Sequence, residues 1–349
     1  MRRLPVFFVL DCSESMIGDN LTNMEDGLQM IVRALRIDPH ALETVWLSVV
    51  AFAGVAKTLV PLIEVVSFYP PKLPMGSGTS LGAALLTLMQ EIDTAVVRTT
   101  PDRKGDWRPI IYLFTDGKPT DDIDPAILRW NASYASKATL IAVALGAAAD
   151  QAVLRRLTEC VLVFEESGVD DFKKFVNWVT ASVVAHSRSV GEGAETKGLP
   201  PLDERFLKLI KAEAAGSADE GSVVLTGRCQ KLRKPYVMKY DKVAQRAAAR
   251  DFEVESPQYH LAGCYPMNED YFAWSDPRVS GFKVSTDELV GMPGCPHCGN
   301  VSAFAMCGCG KLMCVGGPGE AVCPWCEKTV QFSPGSAAAT GFDVARGRG

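Results

Sequence analysis

Five side-chain oxygens raise the first chemical question about this chain. Asp11-Cys12-Ser13-Glu14-Ser15 sets one carboxylate and two hydroxyls at alternate positions, so in an extended turn all three lie on one side. The loop Met75-Gly76-Ser77-Gly78-Thr79-Ser80-Leu81-Gly82 adds the hydroxyl of Thr79, and Asp116 closes the segment Arg108 to Gly117. These are hard ligands without the softness that zinc or copper prefers. They suit Mg²⁺ or Mn²⁺, which take near-octahedral oxygen at about 2.0–2.1 Å and keep several waters. Ser or Asp after a strand also caps helices; the agreement of three separate stretches favours a cation site over a cap.

The elements that must position these groups are legible. Pro5 to Leu10 and Ile110 to Phe114 are continuous apolar runs, as expected of strands buried on both faces of a parallel sheet. Asp11 and Asp116 then sit at carboxyl ends of strands, where open α/β sheets gather ligand groups, and both are expected to face solvent. Helical periodicity over Thr22 to Ile37, Leu81 to Val97, Ile123 to Ser136, Gln151 to Thr158 and Asp171 to Ala185 alternates with apolar strands at Val45 to Phe52, Thr139 to Gly146 and Cys160 to Glu165. Ala56 to Leu62 reads as an antiparallel edge strand. The expectation for 1–186 is a doubly wound, mostly parallel α/β sheet. Cys12 and Cys160 read as small buried hydrophobes.

The Asp-x-Ser-x-Ser loop with a separate Thr and a separate Asp resembles the metal-ion-dependent adhesion site of the von Willebrand factor A domain. The resemblance implies a Rossmann-like fold and a divalent cation held by Asp11, Ser13, Ser15, Thr79 and Asp116. It also implies an acidic residue of a protein partner completing the metal shell.

The chain has 349 residues, 47% of them hydrophobic and 22% charged, with a net charge of −5. This length suggests two or three domains, and the acidic balance argues against a nucleic-acid surface. No run reaches the 18 or more apolar residues of a membrane helix. Arg2 and Arg3 precede an apolar stretch that stops at Asp11, too short for a signal-peptide core, so the expectation is a cytoplasmic protein. No phosphate-binding Gly-x-x-x-x-Gly-Lys-Ser/Thr loop occurs, and none of the four histidines lies near the oxygen motifs. A phosphotransferase or hydrolase using the same cation is the weaker alternative to a non-enzymatic role.

Residues 187–221 read as a polar, Gly-containing linker with a short helix within Leu202 to Ala214. Residues 222–292 read as a small β-rich region with a hairpin of Val223 to Leu225 and Tyr236 to Tyr240. Its basic turn, Arg228, Lys231, Arg233 and Lys234, reads as solvated. Seven of the eleven cysteines lie between Cys295 and Cys326, so 293–332 reads as a zinc-ribbon-like module and 333–349 as a flexible tail. The two Cys-x-x-Cys pairs, Cys295 with Cys298 and Cys323 with Cys326, fit a tetrahedral Cys₄ zinc site. Cys307, Cys309 and Cys314 suggest a second zinc, with His297 or Cys264 as its fourth ligand or with ligands exchanged between sites. Four thiolates leave zinc no open position, so the role is structural. A RING-type, ubiquitin-ligase-like module would need eight cross-braced ligands, which this spacing fits poorly.

GCPHCGN, CGCGK and CPWC, together with GRCQKLRKPYVMKYD and GCYPMNEDYFAWSD, resemble the tellurium-resistance TerY-type proteins. That resemblance implies a bacterial stress-response and tellurite-resistance role, with a protein kinase and a metal-dependent protein phosphatase as partners.

Overall fold

The computed structural model describes residues 2–116, 118–145, 149–164, 169–191, 207–209, 221–243, 258–276, 283–332 and 342–345. The chain divides into two compact units, Met1–Pro74 with Gly78–Asp219, and Met75–Ser77 with Glu220–Gly349.

The first unit runs β1 (Leu4–Asp11), α1 (Asp19–Ile37), α2 (Pro39–Thr44), β2 (Val45–Phe52), β3 (Ala56–Glu64), α3 (Leu81–Ala95) and β4 (Ile110–Thr115). It continues with α4 (Asp124–Ser133), β5 (Thr139–Leu145), α5 (Gln151–Arg155), β6 (Val161–Phe164), α6 (Val169–Gly191) and β7 (Leu207–Leu209). The sheet order is β3-β2-β1-β4-β5-β6-β7. Pairing is parallel from β2 to β6 and antiparallel at both edges. All eight residues of β1 and all six of β4 are buried, as two-sided coverage by helices requires. On one face Phe7, Val9, Ile111 and Leu113 pack with Leu85, Leu88 and Met89 of α3 and Trp130 of α4. On the other, Phe114 of β4 meets Phe175 of α6 edge-on at 5.8 Å between centroids.

Two local differences from the sequence reading have simple causes. The helix α1 ends at Ile37 as its periodicity predicts, but a second helix, α2, follows at once, because Pro39 opens it and Asp38 accepts a capping hydrogen bond from Ala41 N at 2.9 Å. Within the expected linker 187–221, two described stretches are regular. The helix α6 extends to Gly191, and β7 pairs antiparallel with β6 where a helix was expected. Leu207-Lys208-Leu209 alternates with the period of a strand, and the edge of β6 offers it backbone partners. The other residues of 192–220 lie outside the described residues.

The second unit contains β8 (Ser222–Arg228), β9 (Pro235–Val243), β10 (Gln258–Pro266), α7 (Asp270–Trp274), β11 (Lys283–Ser285) and β12 (Leu289–Val290). It continues with β13 (Ser302–Met306), β14 (Leu312–Val315), β15 (Gly319–Val322), β16 (Thr329–Phe332) and β17 (Asp343–Ala345). One six-stranded sheet runs β12-β10-β9-β8-β14-β13. The expected hairpin is present as β8 and β9. The expected boundary between 222–292 and 293–332 is not. β14 pairs with β8 through Leu312↔Gly227 and Met313↔Arg228, and Val223, Leu225, Tyr236 and Met238 share a core with Ala303, Leu312 and Cys314. The larger core is shared between the two halves, beside a smaller cluster of Ala305, Cys307, Met313 and Cys323 within 293–332. In the expected flexible tail, β17 pairs with β11; residues 333–341 and 346–349 lie outside the described residues.

Candidate metal centres

Chain connections leave β1 towards β2 and leave β4 towards β5, so the β1–β4 boundary is the topological switch point of the sheet. Asp11 ends β1 and Asp116 follows β4. Asp11 is wholly buried, which corrects the expectation that it faces solvent. Its Oδ1 accepts from Ser13 N at 2.9 Å and its Oδ2 from Thr115 Oγ1 at 2.6 Å. The Ser13 and Ser15 hydroxyls lie 3.0 Å apart. Burial, and then the Asp116 charge beside it, push the Asp11 carboxyl up from 3.8 to about 7. A carboxylate in this position is costly unless a cation offsets it.

Thr79 precedes α3. Its backbone N–H donates to Thr120 Oγ1 and its carbonyl accepts from Thr120 N, both at 2.9 Å. Its own Oγ1 is buried and has no hydrogen-bond partner among the described residues. A buried hydroxyl without a partner costs free energy, and coordination to a cation would supply one. Asp116 Oδ1 accepts from Lys118 N at 3.2 Å, and its carbonyl accepts from Asp150 N at 2.7 Å. The oxygen types, the buried carboxylate and the orphaned hydroxyl fit a hard divalent cation.

The sulfur atoms form two groups. Cys229, Cys295, Cys298 and Cys314 lie with their Sγ atoms within 4.8 Å of one another, and so do Cys307, Cys309, Cys323 and Cys326. The pairing of Cys295 and Cys298 with Cys323 and Cys326 is therefore corrected, because each Cys-x-x-Cys pair belongs to a different cluster. Cys314 joins the first cluster, and Cys307 with Cys309 joins the second. The fourth sulfur of the first cluster comes from Cys229, and neither His297 nor Cys264 belongs to it. His297 Nε2 is instead 2.7 Å from Pro235 O. The Cys298–Cys314, Cys307–Cys326 and Cys309–Cys323 sulfur separations are 3.7, 3.7 and 3.9 Å. A tetrahedron with Zn–S of about 2.3 Å has edges of about 3.8 Å.

Four turns build these clusters. Glycine N–H groups at 299 and 310 donate to the carbonyls of Cys295 and Cys307, while Arg233 and Glu327 N–H do the same for Cys229 and Cys323. All four donors have positive φ, between 57° and 79°. Backbone N–H groups also point at sulfur, from Leu232 to Cys229 and from Gln230 to Cys314. The Lys328 N–H brings the Cys326 thiol down to about 7, whereas burial pushes Cys307 up to about 12. Sequence spacing missed Cys229 because Leu232 stands where a paired turn would carry its second cysteine. The surviving signal is the turn itself, Cys229-Gln230-Lys231-Leu232-Arg233-Lys234.

The von Willebrand factor type A domain model matches residues 6–177, and the TerY-C metal binding domain model matches residues 219–349. This chain joins the two domains. The pair agrees with the TerY-type reading, and the second match starts ahead of Cys229, consistent with one sheet spanning both expected C-terminal regions. No curated protein matches the sequence. Among solved structures, proximal thread matrix protein 1 from the mussel byssus is 18% identical, over 52% of this chain and 48% of that one, with a TM-score of 0.40. The same protein with a zinc-occupied MIDAS motif is 17% identical over 51% and 46%, with a TM-score of 0.37. A von Willebrand factor type A protein from Catenulispora acidiphila is 17% identical over 53% and 43%, with a TM-score of 0.39. The chain spans about half the length of these structures. No helix among the described residues is long and apolar enough to cross a membrane.

Proposed function

We propose that this protein is a non-enzymatic, metal-dependent adaptor that binds protein partners through the A-domain switch point. Asp11, Ser13, Ser15, Thr79 and Asp116 would hold Mg²⁺ or Mn²⁺. The bound ion supplies positive charge with a coordination position open to an exogenous carboxylate. The chain's own residues then do the rest. Asp11 is fixed by Ser13 N and Thr115 Oγ1, and the two serine hydroxyls sit on one side of the loop. An acidic side chain of a partner is the group such a shell selects. The observation that carries this reading is the fully buried Asp11 carboxyl beside Asp116, whose ionised form its two hydrogen bonds favour too little to offset burial and a cation would stabilise further.

The two Cys₄ clusters would each hold a structural Zn²⁺ in the TerY-C domain, since four sulfurs leave no open position. Unpaired cysteines collected into metal clusters suit a reducing, cytoplasmic setting. The TerY-type resemblance points to a bacterial tellurite-resistance and stress-response system whose partners include a protein kinase and a metal-dependent protein phosphatase.

The test is affinity capture by the intact protein, with Mg²⁺ and with EDTA, for wild type and Asp116→Ala, read by mass spectrometry. Partners retained only by wild type with Mg²⁺ are expected. Equal capture under all conditions would remove the adhesion-site role.

A further inference from the structure

The helix α3 begins at Leu81, with Ser80 between it and Thr79, and its first-turn N–H groups need acceptors. Its own N-cap, Ser80, does not supply one. The Ser80 hydroxyl donates instead to Gly54 O at 2.9 Å, and Ser80 N donates to Ala53 O at 2.7 Å. The cap comes from elsewhere in the chain. Asp121, five residues beyond Asp116, accepts from Gly82 N at 3.1 Å with one carboxylate oxygen and from Ala83 N at 3.0 Å with the other. A carboxylate at a helix N-terminus is also favoured by the helix dipole. Position 82 must be glycine for this approach, because a Cβ there would lie 2.9 Å from Asp121 Oδ2 and 3.0 Å from Asp122 O. Beside this cap, Thr120 pairs with both backbone groups of Thr79.

We propose that Thr120 and Asp121 are positioning residues that clamp the Thr79 loop to the Asp116 loop, so that two candidate cation ligands from distant parts of the sequence are held as one unit. This rests on the adhesion-site reading above. Thr79 cannot be steered by its own hydroxyl, which has no partner among the described residues. The hydrogen bonds that hold it are made by its backbone, to Thr120 and from Leu81 N, with Ser80 next to it anchored on residues 53–54. Outer contacts that orient ligands commonly matter to metal affinity by roughly 10–100-fold, so the clamp acts on affinity rather than only on helix stability.

The experiment is Mg²⁺ titration calorimetry on the full chain, with melting of the metal-free protein measured alongside, for Thr120→Val, Thr120→Ser, Asp121→Asn and Gly82→Ala. Thr120→Val removes the acceptor for Thr79 N at nearly constant shape, and Thr120→Ser restores it. Gly82→Ala pushes Asp121 away without deleting any polar group. The expected result is a loss of Mg²⁺ affinity of roughly 10-fold or more in Thr120→Val, Asp121→Asn and Gly82→Ala, with Thr120→Ser close to wild type. Lower melting temperatures with Mg²⁺ affinities within about twofold of wild type would overturn the proposal, leaving an ordinary cap. Should one variant fail to fold, the others decide on the same readout. If wild type itself takes up no Mg²⁺, or Asp116→Ala binds it unchanged, the adhesion-site reading fails first and the clamp falls with it.

Discussion

Thr115, the last residue of β4, donates its hydroxyl to Asp11 Oδ2 at the end of β1, 2.6 Å away. The bond ties together the two strand ends that carry the candidate carboxylates. It favours the ionised form of Asp11, as does the Ser13 N–H, yet burial and the nearby Asp116 outweigh both and hold the carboxyl near 7. The hydrogen bonds thus link the two strand ends, while burial and the Asp116 charge favour the protonated Asp11 carboxyl below neutrality.

This fixes a pH dependence. In the unfolded chain Asp11 titrates near its ordinary 3.8, and in the metal-free fold near 7. Between those values the folded state holds a proton the unfolded state has lost, so this group's contribution makes metal-free stability fall as pH rises through the window. Mg²⁺ needs the ionised carboxylate and must displace that proton below about pH 7. Mg²⁺ affinity is expected to drop by up to about tenfold per pH unit there. Calorimetry at several pH values checks it; affinity that is flat between about pH 5.5 and 7.5 would show that Asp11 is not protonated in the free site.

Much of the first unit is legible in sequence because its signals are local. The strands β1 and β4 are apolar runs with a carboxylate at or just after their ends, and the order of helices and strands follows periodicity. What periodicity does not carry is pairing between distant segments. The three-residue alternation of Leu207–Leu209 is too short to mark an edge strand by itself, since that assignment depends on the free edge of β6. The burial of Asp11 is likewise a tertiary property. The sulfur clusters show the limit most clearly. Two Cys-x-x-Cys pairs resemble one site when read along the chain, but the parallel pairing of β14 with β8 carries Cys314 to Cys229 and leaves Cys323 and Cys326 to Cys307 and Cys309. A lone cysteine in a turn has no spacing partner to announce it.

The two pairings make opposite counts. If Cys295 and Cys323 serve different clusters, each holding one zinc, then Cys295→Ser removes one ion, Cys323→Ser removes the other, and the double variant removes both. If they served one site, the double variant would lose no more than either single variant. Native mass spectrometry of metal content per chain reads this directly. Cys229→Ser is expected to match Cys295→Ser, and a full complement of zinc in Cys229→Ser would return that cysteine to an ordinary buried role.

Gly227 lies against the Tyr236 ring, and a Cβ there would sit 2.3 Å from Cζ and 2.5 Å from the phenol oxygen. The ring cannot easily withdraw. Tyr236 is fully buried, and its hydroxyl donates to the Ala303 carbonyl. Gly227→Ala is expected to destabilise the TerY-C domain by about 1–3 kcal/mol through overpacking, measured by denaturant unfolding with zinc present. Tyr236→Phe should cost about 1–3 kcal/mol by leaving that buried carbonyl unpaired. If Gly227→Ala unfolds like wild type, the close contact relaxes more freely than the packing implies.

Zinc removal tests how far the metal organises the second unit. Structural zinc is worth on the order of 10–16 kcal/mol of apparent binding energy in small zinc-finger peptides, far more than a small sheet retains on its own. The cysteine-rich run alone would lose protection if it were a separate module. The structure argues for a wider effect, because Cys229 follows β8 directly, and β8 is hydrogen-bonded to both β9 and β14. Stripping zinc with a strong chelator should therefore abolish hydrogen-exchange protection across 222–243 as well as 302–332. The strands β1 and β4 have their own core against α3, α4 and α6 and should keep theirs. Exchange resolved along the chain distinguishes the outcomes. Protection that survives in β8 and β9 after complete zinc loss would mean that the hairpin folds without the Cys229 cluster. Protection lost from β1 and β4 as well would mean that the two units unfold as one.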